Sequence, residues 1–109
     1  MLLQAYSIFD RKALQYHPPF FASTDAAAVR SLSDLVQDPN TTVGRHPNDY
    51  VLYGVGTYSD ADGSLQPITP LRHIMDAVAL VPLQQQLFDP TAVQAAADAQ
   101  RDHLKNGGQ

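Results

Sequence analysis

The period of the apolar positions changes several times along the chain, and each change marks a predicted element. Residues 2–9 read as a strand carrying the β-favouring Tyr6, Ile8 and Phe9. The polar triplet Asp10, Arg11 and Lys12 breaks it, and 13–21 predicts a second extended stretch. Pro18 and Pro19 have no amide to give a ladder, so that stretch is an edge or ends at His17. From 25 to 37 the period is helical, with Ala28, Val29, Leu32, Leu35 and Val36 on one stripe. Ser23 and Thr24 offer a hydroxyl cap, Asp25 an acid in the first turn, and Pro39 the stop.

Beyond a loop over 40–48, residues 49–59 predict a strand that is apolar on both sides. Val51, Tyr53 and Val55 alternate with Tyr50, Leu52 and Tyr58, which implies a central strand or one facing a partner. A turn at 59–64, with Gly63 free to take positive φ, leads into a short return strand over 65–68. Leu71, Ile74, Met75 and Val78 keep helical spacing, while the apolar run 77–81 suits a strand. The reading is a short helix or turn, then a brief strand. Asp89 and Pro90 open a last helix over 91–105, with a thin stripe of Val93, Ala96, Ala97 and Leu104, before 106–109 frays.

These elements predict an α+β fold: a small antiparallel sheet, the helix 25–37 packed on one face, and a C-terminal helix. A core domain over 1–82 and a linker with C-terminal helix over 83–109 follow. At 109 residues the core is modest, and the two-sided strand 49–59 favours a homo-oligomer, most simply a dimer. No apolar run is long enough to span a membrane, and no secretory signal opens the chain, so the expected location is a cytoplasm.

Composition removes several chemistries. With no cysteine there is no disulfide, thiolate nucleophile or thiolate-bound metal. All eleven acids are Asp, which favours caps and turns over helix interiors. His17, His46, His73 and His103 lack metal-ligand spacing. Asp60 and Asp62 before Gly63 resemble the start of a calcium loop, but Leu71 stands where the closing acid is required. Gly54 and Gly56 lie inside a strand pattern, where glycine marks a bulge or a close backbone approach rather than a phosphate loop. No nucleophile motif surrounds any serine. The expectation is a protein that is not an enzyme, with no catalytic residue, metal or cofactor.

Tyrosines interleaved with cations give a different signal, since rings can stack on unpaired bases while Arg11, Lys12, Arg30 and Arg45 follow phosphates. Against it stand the sheet-packing role that tyrosines commonly have and a net charge of −4.

Four blocks in order carry a family resemblance. Tyr6-Ser7-Ile8-Phe9-Asp10-Arg11-Lys12-Ala13 is similar to a Y-S-I-Y-D-x-K-A opening, and Pro19-Phe20-Phe21 to a P-F-F element. Ala28-Val29-Arg30-Ser31-Leu32-Ser33-Asp34 resembles A-x-R-x-F-x-D, with Leu32 in place of the aromatic. His46-Pro47-Asn48-Asp49-Tyr50-Val51-Leu52-Tyr53-Gly54-Val55-Gly56-Thr57-Tyr58 resembles H-P-x-D-Y-x-L-x-x-I-G-x-F. Together, over about residues 5–70, they resemble the nonstructural protein of gokushovirus-type microviruses, tailless phages with single-stranded DNA.

That resemblance implies an accessory role in genome synthesis or packaging, with contact to single-stranded DNA in the host cytoplasm. Arg11, Lys12, Arg30 and Arg45 would then hold phosphates, and the exposed members of Tyr16, Tyr50 and Tyr58 would stack on bases. The alternative is a protein-interaction module that recruits a viral or host replication or assembly factor without touching DNA.

Overall fold

Strand β1 (Leu2–Asp10) is the hub of the sheet in the computed structural model, which describes residues 1–82. Along one edge β1 pairs antiparallel with β2 (Gln15–Tyr16) and β3 (Phe20–Ala22); along the other it pairs with β4 (Tyr50–Ser59). Strand β5 (Leu65–Asp76) closes the far side against β4, completing a five-stranded antiparallel sheet. The proline pair does end the second extended stretch: β2 and β3 are separate strands flanking Pro18 and Pro19.

Helix α1 (Asp25–Val36) starts where the caps predict. Thr24 is extended, and its hydroxyl accepts from the Ala27 amide at 3.1 Å. Ala28, Leu32 and Val36 form its buried stripe and meet Tyr6, Ile8, Tyr50 and Leu52 from the sheet. The loop over 40–48 is more ordered than its polar sequence suggests. A four-residue helix α2 (Thr42–Arg45), capped by Thr41, buries Val43, and a 3-10 turn follows over Pro47–Asp49.

The 65–81 region departs from the sequence expectation. Instead of a short return strand and then a helix, β5 runs for twelve residues to Asp76. The run 77–81 is not a strand: Ala77–Leu80 is a 3-10 turn whose Ala77 is fully buried in the core. The adjacent apolar pair Ile74 and Met75, which lends this stretch its helical spacing, sits at a register shift, where Met75 pairs with Leu52 and His73 with Tyr53 and Ile74 is left over; a larger jump runs from Gly54↔Arg72 to Gly56↔Pro67. β4 carries its own irregularity against β1 at the same place, between Ala5 and Tyr6. Gly56 explains why that place is glycine: a Cβ there would stand 2.3 Å from the Gln66 carbonyl oxygen. The fold is α+β as expected; the predicted linker and helix over 83–109 lie outside the described residues.

Candidate nucleic-acid interface

Directly paired residues share a face of the sheet, so register sorts its side chains into two sets. Tyr6, Ile8, Tyr50 and Leu52 face the helices and form the core. Their neighbours Ser7, Phe9, Val51 and Tyr53 face the other way, where no described helix lies. Of these, Ser7 and Val51 are buried, so the larger rings make the surface.

On this open face the rings gather in two groups. At the end of the sheet near Asp10, Phe9 lies 4.6 Å from Tyr16 and 6.3 Å from Tyr53 between ring centroids. Tyr16 is 6.0 Å from Tyr53, and His73 on β5 meets Tyr53 edge-on at 5.9 Å. Tyr16 is 49% exposed, although it is paired with Phe9 across β1 and β2. Beside this cluster Arg11 reaches the Asn48 carbonyl at 3.2 Å and the Asp76 carboxylate at 3.5 Å, and Asp76 also holds His73 at 3.0 Å. Lys12 follows in a turn whose shape is set by Asp10, its carboxylate accepting from the Lys12 and Ala13 amides. Lys12 is exposed and makes no ion pair with a described residue.

At the opposite end of the same face, Phe21 and Tyr58 pair at 5.1 Å. An apolar pocket of about 200 Å³ beside them is lined by Ala5, Pro19, Phe21, Val55, Leu65 and Pro67.

The helix-covered side carries a different constellation. Arg72 forks onto Asp25 at 2.6 and 3.0 Å, and the Tyr6 hydroxyl donates to the same carboxylate at 2.5 Å. Those hydrogen bonds, from Arg72 first and then Tyr6, hold the Asp25 carboxyl down at about 2. Burial, reinforced by the carboxylate, pushes the Tyr6 phenol up to about 12. A tyrosine held neutral, an aspartate held ionised and the arginine that forks onto it join β1, α1 and β5 in a structural tie.

The residues predicted from sequence for nucleic-acid contact are therefore divided by the sheet. Arg11, Lys12 and Tyr16 come together, and Tyr58 shares their face at its other end. Arg30 is exposed on α1, and Arg45 closes α2, both in the helical layer on the reverse side. Tyr50 is corrected outright: at 7% exposure it belongs to the core, its ring against His17 rather than open to a base. Phe9 and His73 carried no stacking signal in the sequence, and Tyr53 counted among the tyrosines able to stack without being assigned to the site. The alternation over 49–59 carried the signal for Tyr53, but only the position of α1 decides which face stays open.

Among the described residues no group of potential ligands could hold a metal ion, and no helix is long and apolar enough to cross a membrane. The profile of the family described as Phage ORF5 protein matches residues 3–80, a span that takes in every strand and helix above except the first residue of β1. The chain belongs to the phage ORF5 protein family. The open face, with both its ring groups, lies within the family's matched region. Neither the curated proteins nor the solved structures contain a match to the chain.

Proposed function

We propose that this phage protein is a non-catalytic accessory factor of a gokushovirus-type microvirus, acting in the host cytoplasm on single-stranded DNA during genome synthesis or packaging. The supporting observation is the open sheet face, where Phe9, Tyr16, Tyr53 and His73 cluster beside Arg11 and Lys12. Unpaired bases stack on such rings without regard to sequence, and each stacked base contributes about 1–3 kcal/mol. Arg11 and Lys12 stand where the phosphates of a bound strand would run, while Arg30 and Arg45 on the other side take no part. The four motif blocks shared with the gokushovirus nonstructural protein support the phage type.

Few cations face the site, so affinity should rest on stacking more than on phosphate neutralisation. Contact with two phosphates gives a salt slope of about −1.4, far shallower than that of a basic coat protein. Titration of labelled oligo-dT at roughly 50 and 200 mM salt tests the proposal, because electrostatic attraction is strongest at low salt. Absence of binding at the lower salt would sink the DNA reading.

The apolar pocket at Ala5, Phe21, Val55, Leu65 and Pro67 favours one other reading, a module that captures a replication or assembly protein. If Tyr16→Ala and Tyr53→Ala leave oligo-dT affinity unchanged, the stacking site is refuted and the module reading gains.

A further inference from the structure

The open face exposes more aromatic and aliphatic surface than DNA contact at one end would use. Phe21 is 43% exposed and Leu65 61% exposed, and both lie at the end away from Arg11, around the apolar pocket. A patch of this kind on a small acidic domain is an association surface.

From the geometry we infer that a second copy of this chain packs on this face when DNA is absent, the two sheets face to face with their strands antiparallel. Charge selects the arrangement. Leu2 pairs with Ser59 and Asp10 with Tyr50, so the turn holding Lys12 and the turn holding Asp62 stand at opposite ends of the sheet. Neither charge is neutralised by an opposite charge among the described residues: Lys12 has no ion pair there, and Asp62 accepts hydrogen bonds from Ser64 and Ser59 but meets no cation. A two-fold axis across the strands lays each Lys12 turn over the partner copy's Asp62 turn. A two-fold axis along the strands would instead set like charges together. The aligned packing angle of sheet pairs, about 30°, accommodates the first arrangement.

Size sets the strength. A face about 30 Å long and about 19 Å wide, from strand rise and spacing, offers roughly 600 Å² per copy. That is the lower end of specific interfaces, so the dimer forms reversibly and is open to displacement. The displacing ligand is the single strand itself, since Tyr16 and Tyr53 lie on the face that the second copy covers. The dimer does not depend on the DNA proposal; only the displacement does.

Sedimentation equilibrium of the full chain tests the pairing. Wild type should move from monomer to dimer as concentration rises, and Phe21→Asp, altering an exposed ring, should weaken the dimer at least tenfold while circular dichroism stays native. Lys12→Asp and Asp62→Lys should each weaken it several-fold, whereas the Lys12→Asp/Asp62→Lys double variant recovers wild-type association. A monomer at every concentration, or a dimer indifferent to Phe21→Asp, overturns the proposal and leaves the face to another occupant. Failure of the double variant to recover overturns the antiparallel arrangement. Excess oligo-dT should return wild type to monomer; DNA binding without dissociation overturns the displacement alone.

Discussion

Arg72 and Asp25 face each other through two hydrogen bonds, 2.6 and 3.0 Å long, across 47 positions of sequence. The carboxylate they share also receives the buried Tyr6 hydroxyl, so the first turn of α1 is tied to β5 and to the central strand at once. Gly54 lies between Tyr6 and Arg72 in the cross-strand row, where a Cβ would stand 3.4 Å from the guanidinium.

This tie should show in the acid limb of stability. Asp25 is held at about 2 against an ordinary 3.8, so the folded state favours its ionised form. Its contribution is full above the ordinary value and is lost as pH falls through the window from 3.8 to about 2. The pair is half exposed, so solvent screening limits the effect to about 1 kcal/mol. Urea unfolding between these limits should show that loss in wild type, and Asp25→Asn should flatten it.

The alkaline limb follows Tyr6 with the opposite sign. Its phenol is raised from 10.0 to about 12, so stability is intact below 10.0 and declines as pH climbs towards 12. Tyr6→Phe should remove that decline. At neutral pH the variant should be less stable by about 1–3 kcal/mol, because Asp25 loses a charge-assisted hydrogen bond. Paired denaturation curves at neutral and alkaline pH check both parts.

Two glycines of β4 should respond differently to alanine. A Cβ at Gly56 would stand 2.3 Å from a backbone carbonyl oxygen, so Gly56→Ala forces β4 and β5 apart and should cost about 2–4 kcal/mol. A Cβ at Gly54 meets only the Arg72 side chain, at 3.4 Å or more, and Gly54→Ala should cost less than about 1 kcal/mol. Thermal melts of the two variants compare them directly.

The open face should separate the cations that sequence alone could not. Tyr16→Ala and Tyr53→Ala should each weaken oligo-dT binding by about 1–3 kcal/mol, the contribution of one stacked base. Arg30→Ala and Arg45→Ala, on the helical side, should bind as wild type does. Fluorescence anisotropy on the folded variants provides the readout; equal losses on both sides would place the strand elsewhere.

Legibility in the sequence followed the range of the forces involved. Helix α1 could be read because its cap Thr24, its stripe Ala28, Leu32 and Val36, and its stop all lie within one local stretch. The glycines of β4 were legible as a bulge or close approach, and both occur at that site. Strand β5 was not, because Pro67 and Pro70 break the alternation, and the extra residue Ile74, with the turn that holds Val78, gives the stretch a helical spacing. Tyr50 and Tyr53 look alike in sequence. Their fates differ because α1, fixed by contacts with Tyr6 and Leu52, covers one face of β4 and leaves the other. Asp25 was legible as a helix-start acid, but its second role with Arg72 exists only once the strands are registered.

The position of β1 at the middle of the sheet bears on how the chain acquires its structure. Leu2 meets Ser59 and Asp10 meets Tyr50, so the longest pairing of β1 closes a loop of roughly half the chain. Contacts so distant in sequence slow a transition state, and a sheet of this kind folds over milliseconds to seconds. Until β4 arrives, β1 has only the short partners β2 and β3 and keeps an open edge. For that interval the chain is most exposed to joining the wrong neighbour, and crowded synthesis in an infected cell is where that hazard would be greatest.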